Sequence, residues 1–436
     1  MDYSKESIKK EVIDQGVEFI RLEFTDMLGD TKNVELPVEE IDSVLDNEAM
    51  FDSSSISGFS DIQESDMYLV PDLDTFKVMP KEVEEDSVAR FVCDIYTPDG
   101  EPFEGDPRFI LKRAMQEAKD MGYTVNVGPE PEFFLFKLNE EGYPIRKMND
   151  RAGYFDASPI DKGDKVRRDI VSVLKKFGFE MEASHHEVAK GQHEINFRFD
   201  DMLKAADNIQ TFKSVVKNVA TNHNYHATFM PKPIAGENGS GMHCHLSLFK
   251  DGDSEFFDPN EDDDISQTMK YFMGGILHHA SGITAITNPC VNSYKRLVPG
   301  YEAPVSVAWS HSNRSCMIRV PTTRGKGTRF EVRHPDPTAN PYLTLAAVVH
   351  AGLEGIRNKI DPGEPETRNL YEVADDEVPT LPTNLKEAIN ALKRDEILMK
   401  ALGEHTSAQY IEQKEAEWKE YSLQVSKWEI DQYMNK

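Results

Sequence analysis

Four segments of the chain alternate between apolar and polar residues with a period of two, the pattern of a strand that buries one face. Their polar positions carry carboxylate, imidazole or guanidinium groups, which a helix would scatter by about 100° per residue. The segments run over residues 128–136, 192–199, 241–248 and 329–333. We predict strands whose apolar faces pack on the core and whose polar faces are either solvated or part of a site.

A helical period marks several segments between these strands. Asp106-Pro107 predicts a capped helix start with proline at the first position, and Gly122 predicts its end. The other predicted helices are marked by Val166, Ile170, Val173 and Phe177 before Gly178, by Phe212, Val215, Val216 and Val219, by a start at Asn340-Pro341, and by a C-terminal stripe of Trp418, Tyr421, Val425 and Trp428. That stripe could pack on the chain's own core or on a neighbouring subunit, and the sequence leaves both open.

The chain of 436 residues is long enough for two domains. Residues 1–103 are predicted to form a small N-terminal domain of short strands, with strand-forming residues at 17–24 and 90–95 and a Ser/Gly/Asp-rich loop at 51–66. Residues 104–436 are predicted to form a catalytic domain that mixes strands and helices and ends in a helical segment. The predicted fold class is α+β.

The charge balance narrows the range of partners. A net charge of −28 argues against nucleic acid as a partner, because polyanions are bound by clustered cations. The chain shows no apolar run of the roughly 18 residues that a membrane helix needs, and its polar N-terminus predicts no secretory signal. The four cysteines lack C-x-x-C spacing and are predicted to be reduced core residues of a cytoplasmic protein: Cys93, Cys244, Cys290 and Cys316.

Acidic residues on the predicted strands suggest bound cations. Glu130 and Glu132 share one strand face, where they would repel each other unless solvated or bridged by a cation. A solvated face is the simpler explanation for one strand, but it loses weight when four strands share the feature. Oxygen-rich ligands with one imidazole suit Mg²⁺ or Mn²⁺ rather than a structural zinc. Two such ions would form a clamp for phosphoryl transfer.

Five arginines cluster between residues 296 and 333, where they could bind phosphate and carboxylate groups. They are Arg296, Arg314, Arg319, Arg329 and Arg333. The chain has no G-x-x-x-x-G-K-[ST] motif, so a bound nucleotide would be held by metals and arginines. The Pro/Gly-containing loop at residues 296–304 carries Glu302 and could act as a mobile lid over the site.

Several motifs, in this order, resemble those of type I glutamine synthetases along nearly the whole chain. The matching blocks are Asp52-Ser-Ser-Ser55 with Glu64-Ser-Asp-Met67, Gly128-Pro-Glu-Pro-Glu132, His185-His-Glu-Val188, Lys232-Pro-Ile with Asn238-Gly-Ser-Gly-Met-His243, Asn292 to Pro304, Asn313-Arg-Ser315, and Glu331-Val-Arg-His-Pro-Asp-Pro337. The resemblance implies an N-terminal β-grasp domain and a catalytic domain with an antiparallel sheet. It also implies a homododecamer of two hexameric rings with active sites between neighbouring subunits.

The activity implied by the resemblance is ATP-dependent ligation of ammonia to L-glutamate through γ-glutamyl phosphate, with two to three Mg²⁺ or Mn²⁺ ions per active site. The implied metal ligands are Glu132, Glu187 and Glu194 for one ion and Glu130, His243 and Glu331 for another. The implied ATP contacts are Phe199, His245, Ser247, Arg314, Arg319, Lys326 and Arg329. The implied glutamate contacts are Asn238, Gly239, Arg296, Glu302 and Arg333, and the implied ammonium contacts are Asp52, Ser55 and Glu187. The implied catalytic residues are Asp52, Glu302, Arg314 and Arg333. Asp52, supplied by the neighbouring subunit, would deprotonate ammonium, and Glu302 would be the acid of a flap that closes over the intermediate.

Regulation is less closely defined by the sequence. The residues that follow Tyr371 differ from the adenylylated loop of other members, which favours the shorter α-type subgroup without that modification. Residues 59–62 lack the arginine through which some members respond to glutamine, so this feedback is not expected. Activation by 2-oxoglutarate, or control by small nitrogen-signalling proteins, stays open.

Three rival functions also stay open. A ligase that joins glutamate to a polyamine would need a wider and less charged pocket than Asp52, Ser55 and Glu302 indicate. A kinase that phosphorylates a carboxylate or guanidino group could use the same metals and arginines, but Asp52 would then have no role. A non-catalytic family member would be expected to lose metal ligands, and all six are present.

Overall fold

The computed structural model of the protein describes residues 3–56, 58–59, 66–148, 150–372 and 377–436. The segment at residues 59–62, the motif at residues 64–67 and the predicted loop at residues 51–66 fall partly outside these ranges, and so does Val373. All elements named below belong to the described residues.

The N-terminal part of the chain folds around one sheet with the strand order β2-β1-β6-β4-β3, in which β5 also pairs with β6. Its elements are α1 (Lys5–Asp14), β1 (Phe19–Thr25), β2 (Thr31–Pro37), α2 (Ile41–Leu45), β3 (Met50–Asp52), β4 (Asp66–Pro71), β5 (Lys77–Val78) and β6 (Val88–Tyr96). Strands β1 and β6 run parallel, and the other described pairs are antiparallel. Alternate residues of β1, such as Ile20 and Leu22, are buried in a core with Phe76 and Phe91.

A second sheet has the order β14-β15-β16-β12-β7-β9-β8, with β10 and β11 paired to β7 and β13 to β12. Its strands are β7 (Thr124–Lys137), β8 (Met181–His186), β9 (Gln192–Phe197), β10 (Asp200–Asp201), β11 (Tyr225–Thr228), β12 (Met242–Lys250), β13 (Asp253–Ser254), β14 (Ser306–His311), β15 (Cys316–Val320) and β16 (Phe330–Val332). All described pairs are antiparallel except β14 with β15. The four predicted strands are confirmed, and they are consecutive neighbours: β16, β12, β7 and β9.

The same part of the chain forms the remaining helices of the described residues. They are α3 (Pro107–Asp120), α4 (Asp164–Lys176), α5 (Met202–Asn222), α6 (Gln267–His278), α7 (Ala280–Thr287), α8 (Ser293–Arg296), α9 (Pro341–Asn358), α10 (Leu385–Leu392), α11 (Glu396–Leu402), α12 (Glu404–Ser422) and α13 (Lys427–Tyr433). The predicted helix starts are confirmed, because the Asp106 side chain accepts a hydrogen bond from Arg108 N and the Asn340 side chain accepts one from Tyr342 N. Gly122, at φ +85°, follows the end of α3 as predicted.

The apolar face of β12 shows why the opposite face is free to line a site. Met242, Cys244, Leu246 and Leu248 are all buried in hydrophobic clusters. The alternate residues of this strand are only partly buried and point to the other side of the sheet. The packing of the helices therefore fixes the orientation of the polar face.

The predicted single C-terminal helix is wrong, because Trp418 and Tyr421 lie on α12, Val425 lies in the connection after it, and Trp428 lies on α13. Ser426 caps the start of α13: its Oγ accepts from Glu429 N at 3.2 Å, and its N donates to Glu429 Oε2 at 2.6 Å. Trp418 on α12 packs against the core, whereas Val425 and Trp428 are 72% and 62% exposed. A capping box thus ends the helical period that the stripe suggested.

The four cysteines are free thiols, as predicted, but only Cys93, Cys244 and Cys316 are buried, whereas Cys290 is half-buried. In the part of the chain that the structure describes, no helix combines the length and the apolar character needed to cross a bilayer.

Arg108 connects the N-terminal part of the chain to the part with the second sheet through a buried cluster of ion pairs. Its guanidinium lies 2.6 Å from Asp72, 2.7 Å from Asp94 and 2.9 Å from Asp207, and only 3% of the residue is exposed. Asp72 and Asp94 belong to the N-terminal part, whereas Arg108 lies on α3 and Asp207 on α5. This charge therefore links the two parts, and the boundary between residues 103 and 104 stays a prediction.

Replacing Arg108 with methionine is expected to destabilise the protein by about 3–5 kcal/mol, because three carboxylates would lose their shared cation. Thermal unfolding followed by circular dichroism would measure the loss. Arg198→Met removes an exposed ion pair with Glu180 and serves as the control, with a change of at most about 0.5 kcal/mol. Equal thermal midpoints for the two variants would contradict the proposed importance of the cluster.

Candidate active site

A cavity of about 440 Å³ lies over the polar face of β16, β12, β7 and β9. Its lining includes Glu130, Glu132, Glu187, Glu194, His243, Glu331, His245, Arg296, Arg314, Arg319, Arg329, Arg333, Asn238, Gly239 and Glu302. The tertiary structure thus brings together all six predicted metal ligands, the five arginines and the acid of the predicted lid.

The first acidic cluster joins three neighbouring strands. His243 on β12 pairs with Glu130 on β7 across the sheet, and the next imidazole along β12, His245, pairs with Glu331 on β16. His243 Nδ1 lies 3.5 Å from Glu130 Oε2 and 3.3 Å from Glu331 Oε1. Glu130, His243 and Glu331 offer ligand atoms within 4.8 Å of one another, so they could hold one metal ion.

Glu331 is the most buried member of this cluster, with 1% of the residue exposed. Arg319 Nη1 lies 2.6 Å from its carboxylate, and Arg333 pairs with the second oxygen. Burial opposes its ionisation, but Arg333 and then His243 outweigh this and lower the pKa of Glu331 to about 2. Glu331 is therefore a fixed negative charge between the cluster and the arginines.

The second acidic cluster carries excess negative charge. Glu187 and Glu194 lie 3.4 Å and 3.3 Å from the ring nitrogens of His185, and Glu132 pairs with Glu194 across β7 and β9. Burial and then the charge of Glu194 raise the pKa of Glu187 to about 7, and burial with Glu187 and Glu194 raises the pKa of Glu132. Buried carboxylates that repel one another fit a divalent cation, which would neutralise them.

Metal binding at this cluster is expected to release protons. The pKa of Glu187 is raised from 4.5 to about 7, so below pH 7 the carboxyl is protonated and a cation must displace the proton. The apparent affinity for Mg²⁺ or Mn²⁺ should therefore weaken as the pH falls through about 7, by up to about tenfold per unit for one proton. Titration calorimetry in buffers of different ionisation enthalpy between pH 6 and 8 measures this release. Glu187→Gln should reduce the release, whereas an affinity independent of pH would contradict it.

A buried polar network lies behind this second cluster. Asp150 Oδ1 accepts from Gly191 N at 2.9 Å, and Asp150 Oδ2 lies 3.4 Å from His186 Nε2. Arg167 contacts Asp161 Oδ2 at 2.7 Å and His193 Nδ1 at 2.8 Å. Because the guanidinium of Arg167 already supplies a cation here, we assign this network to holding the β8–β9 hairpin that carries Glu187 and Glu194.

The predicted glutamate contacts line the same cavity and adjoin the second acidic cluster, since Gln192 Nε2 donates both to Glu132 Oε2 at 2.8 Å and to Gly239 O at 3.0 Å. Arg296 is buried, and its guanidinium donates to the carbonyl oxygens of His334 at 2.7 Å and Arg333 at 3.2 Å. A Cβ on Gly241 would lie 2.5 Å from Arg296 Nη2, so glycine leaves room for this side chain. Asn238 Nδ2 donates to Glu302 Oε2 at 3.3 Å.

A second cavity of about 210 Å³ adjoins the first and contains the remaining predicted ATP contacts. Phe199, Ser247 and Lys326 line it together with His245 and Arg329. Arg329 Nε donates to His245 Nδ1 at 3.3 Å, and His245 Nε2 lies 3.0 Å from Glu130. An aromatic ring and two cations beside an acidic cluster provide the chemistry to hold a nucleotide.

Asp52 and Ser55 lie elsewhere. Both are exposed, Asp52 at the end of the edge strand β3, and neither lines the two cavities formed by the described residues of one chain. Asp52 Oδ1 accepts from Ser54 Oγ at 2.7 Å and from Ser54 N at 2.9 Å, and these bonds lower the pKa of Asp52. Within the described part of one chain, the structure therefore does not bring Asp52 or Ser55 to either cavity.

Sequence reasoning did not assign several residues of the cavity. The sequence pattern could have indicated Gln192, because this residue shares a strand face with Glu194. In the structure, Gln192 Nε2 donates to Glu132 Oε2 at 2.8 Å. His185 lies within a quoted motif but received no role. Tyr154 pairs with Arg314 from an irregular loop, where no periodicity marks it.

Two families of known domains match the chain. The family described as the β-grasp domain of glutamine synthetase matches residues 16–98, and the family described as its catalytic domain matches residues 104–433. A glutamine synthetase from Staphylococcus aureus is 55% identical over 99% of this chain and 98% of its own length. One from Thermus thermophilus is 53% identical over 100% and 99%. A solved structure described as a GmaS/ADP complex is 33% identical, with a TM-score of 0.90 over 98% of this chain and 99% of its own.

The fold and the site define an enzyme with acidic clusters and arginines in one cavity, built from a β-grasp domain and an α+β catalytic domain. The chain belongs to the glutamine synthetase family. The full-length matches confirm the predicted activity, which is the ATP-dependent synthesis of glutamine by a glutamate–ammonia ligase. Divalent metal and ATP are used by this family.

Proposed function

We propose that this enzyme makes glutamine in two steps within the cavity over β7 and β12, and that the predicted site residues carry out these steps. What supports the proposal is the juxtaposition of two acidic clusters with a row of arginines in one cavity. In the first step, a γ-carboxylate oxygen of glutamate attacks the γ-phosphorus of ATP, and ADP leaves. In the second, ammonia attacks the acyl carbon, and inorganic phosphate leaves.

The arginines would stabilise the charge that moves during both steps. Arg314 and Arg319 are proposed to bind the transferred phosphoryl group, and Arg333 and Arg296 to hold the glutamate and the acyl phosphate. Glu331 orients Arg319 and Arg333 through its ion pairs with both. Phe199 and Lys326 would hold the nucleotide in the adjoining cavity.

Two to three Mg²⁺ or Mn²⁺ ions would supply charge neutralisation and orientation of phosphate oxygens when bound. The chain's ligands for them would be Glu130, His243 and Glu331 in the first cluster and Glu132, Glu187 and Glu194 in the second. His185 lies between Glu187 and Glu194 and would orient both carboxylates.

Ammonium has no free lone pair, so a base must remove a proton before it attacks. We propose that Asp52 of a neighbouring copy takes this proton, with Ser55 and Glu187 helping to bind the cation. Its exposure at the end of an edge strand supports this assignment. The same argument supports an assembly in which active sites lie between subunits, for which we propose a dodecamer of two hexameric rings. We also propose that the enzyme is cytoplasmic and that small nitrogen-signalling proteins control it.

The test is phosphate release from ATP with Mg²⁺ and glutamate, adding ammonium, putrescine or no amine, with products identified by mass. Release that depends on both glutamate and ammonium, with glutamine formed, is the expected result. Release stimulated only by putrescine would overturn the proposed ammonium site and assign the cavity to a larger amine. Light scattering of the same sample would test the dodecamer.

A further inference from the structure

The loop at residues 231–241 lies between β11 and β12 and contacts the predicted lid, or flap, at residues 296–304. It is closed on itself, because Ser240 N donates to Pro231 O at 2.8 Å. A Cβ on Gly239 would lie 2.2 Å from the same carbonyl oxygen, so no larger residue fits this turn. The loop is therefore a compact support beside the flap.

Lys232 is the buried cation of this loop, with 8% of the residue exposed. Its backbone is fixed from both sides, since its N donates to Asn292 Oδ1 at 2.7 Å and its O accepts from Asn292 Nδ2 at 3.1 Å. The ammonium donates to the carbonyl oxygen of Glu237 and lies 3.8 Å from the centroid of the Tyr301 ring. A desolvated cation over an aromatic face is the stronger form of the cation–π contact.

Tyr301 belongs to the flap and precedes its acid. Glu302 adopts a φ of +60°, a conformation that a residue with a Cβ keeps only where its surroundings hold it. Asn238, from the same loop as Lys232, donates to the Glu302 carboxylate at 3.3 Å. The loop thus holds two consecutive flap residues, one through its ring and one through its carboxylate.

We infer that Lys232 and Tyr301 are positioning residues that form a latch, which keeps the flap over the acyl phosphate and excludes water. This inference rests on the proposed function. When the flap is open, a water oxygen attacks the acyl carbon, the bond from this carbon to the phosphate oxygen breaks, and inorganic phosphate leaves. The water proton passes to solvent and glutamate is regenerated, so ATP is hydrolysed without glutamine.

The latch is tested by the ratio of phosphate released to glutamine formed, with the full-length enzyme, Mg²⁺, ATP, glutamate and saturating ammonium. Lys232→Met and Tyr301→Leu are expected to raise uncoupled phosphate release about tenfold, which corresponds to about 1.4 kcal/mol of flap closure. Tyr301→Phe keeps the aromatic face and should keep the ratio near one. The double variant should be no more uncoupled than the worse single variant.

Lys217→Met is the matched control, because it removes a lysine that lies 5.9 Å from the centroid of the Phe229 ring, outside the cavity. If Lys232→Met fails to fold, the two Tyr301 variants decide the matter alone. Ratios near one for Tyr301→Leu, or equal uncoupling in Tyr301→Leu and Tyr301→Phe, would overturn the latch. If the unsubstituted enzyme forms no glutamine from ammonium, it is instead the proposed function that fails.

Discussion

Glu331→Ala is expected to lower glutamine formation by at least about 10³-fold and to weaken the binding of both divalent metal and nucleotide. The residue is buried between Arg319, Arg333 and His243, so its loss leaves two guanidinium groups without their anion and removes a proposed metal ligand. Glu331→Gln keeps the shape but not the charge and should lose nearly as much. Calorimetric titration with Mn²⁺ and with ADP, together with the steady-state rate, gives the three effects.

Glu180→Gln provides a control for the loss of one carboxylate. Glu180 is exposed and pairs with Arg198 at the surface, so its substitution should leave metal affinity and rate unchanged. Metal and nucleotide affinities in Glu331→Ala that equal those of the unsubstituted enzyme would rule out a ligand role for this carboxylate.

Asp52→Ala is expected to spare the formation of glutamyl phosphate and to slow amide formation by about 10²–10³-fold, because proton removal from ammonium loses its base. Positional isotope exchange in ATP, measured with glutamate but without ammonium, reports the first step. Glutamine formation in the presence of ammonium reports both steps. Exchange within about threefold of the unsubstituted rate, together with a large loss of glutamine, is the expected combination.

The two steps must separate for this assignment to hold. Equal losses in exchange and in glutamine formation would mean that Asp52 acts on the fold or the assembly rather than on ammonium. Glu39→Gln, an exposed acid elsewhere in the N-terminal part, is the control for a change of surface charge. Because Asp52 does not line the cavities that the described residues of its own chain form, mixing Asp52→Ala with an inactive Glu331→Ala chain should restore activity at sites that combine the two intact residues.

Much of the site could be predicted from local patterns. The period of two in Gly128–Phe136 and Gly241–Leu248 follows from the geometry of a strand, which sends alternate side chains to opposite faces. Such a pattern decides that His243 and His245 share a face whichever strands lie beside them. Helix starts at Asp106 and Asn340 were also predictable from local sequence, because a capping side chain bonds to a backbone N–H within three residues.

Contacts between distant parts of the chain were decided by the tertiary structure. The position of Glu331 beside His243 depends on β16 pairing with β12. The burial of Glu187 and its repulsion by Glu194, which together raise the pKa of Glu187, depend on the β8–β9 hairpin packing against β7. The contact of Lys232 with Tyr301 has no sequence signal, because both lie in irregular loops.

The C-terminal stripe shows the limit of periodicity most directly. Trp418, Tyr421, Val425 and Trp428 keep a helical spacing, yet the chain leaves the helix after Ser422 and a Ser426–Glu429 capping box starts a new one, so Val425 lies in neither helix. The sequence by itself determined the faces of the strands, the caps and the chemistry of the side chains, because these depend on backbone geometry within a few residues. Only the tertiary structure decided which strands are neighbours, which carboxylates repel one another and that Asp52 lies away from its own cavity, because these depend on packing between residues that are far apart in the chain.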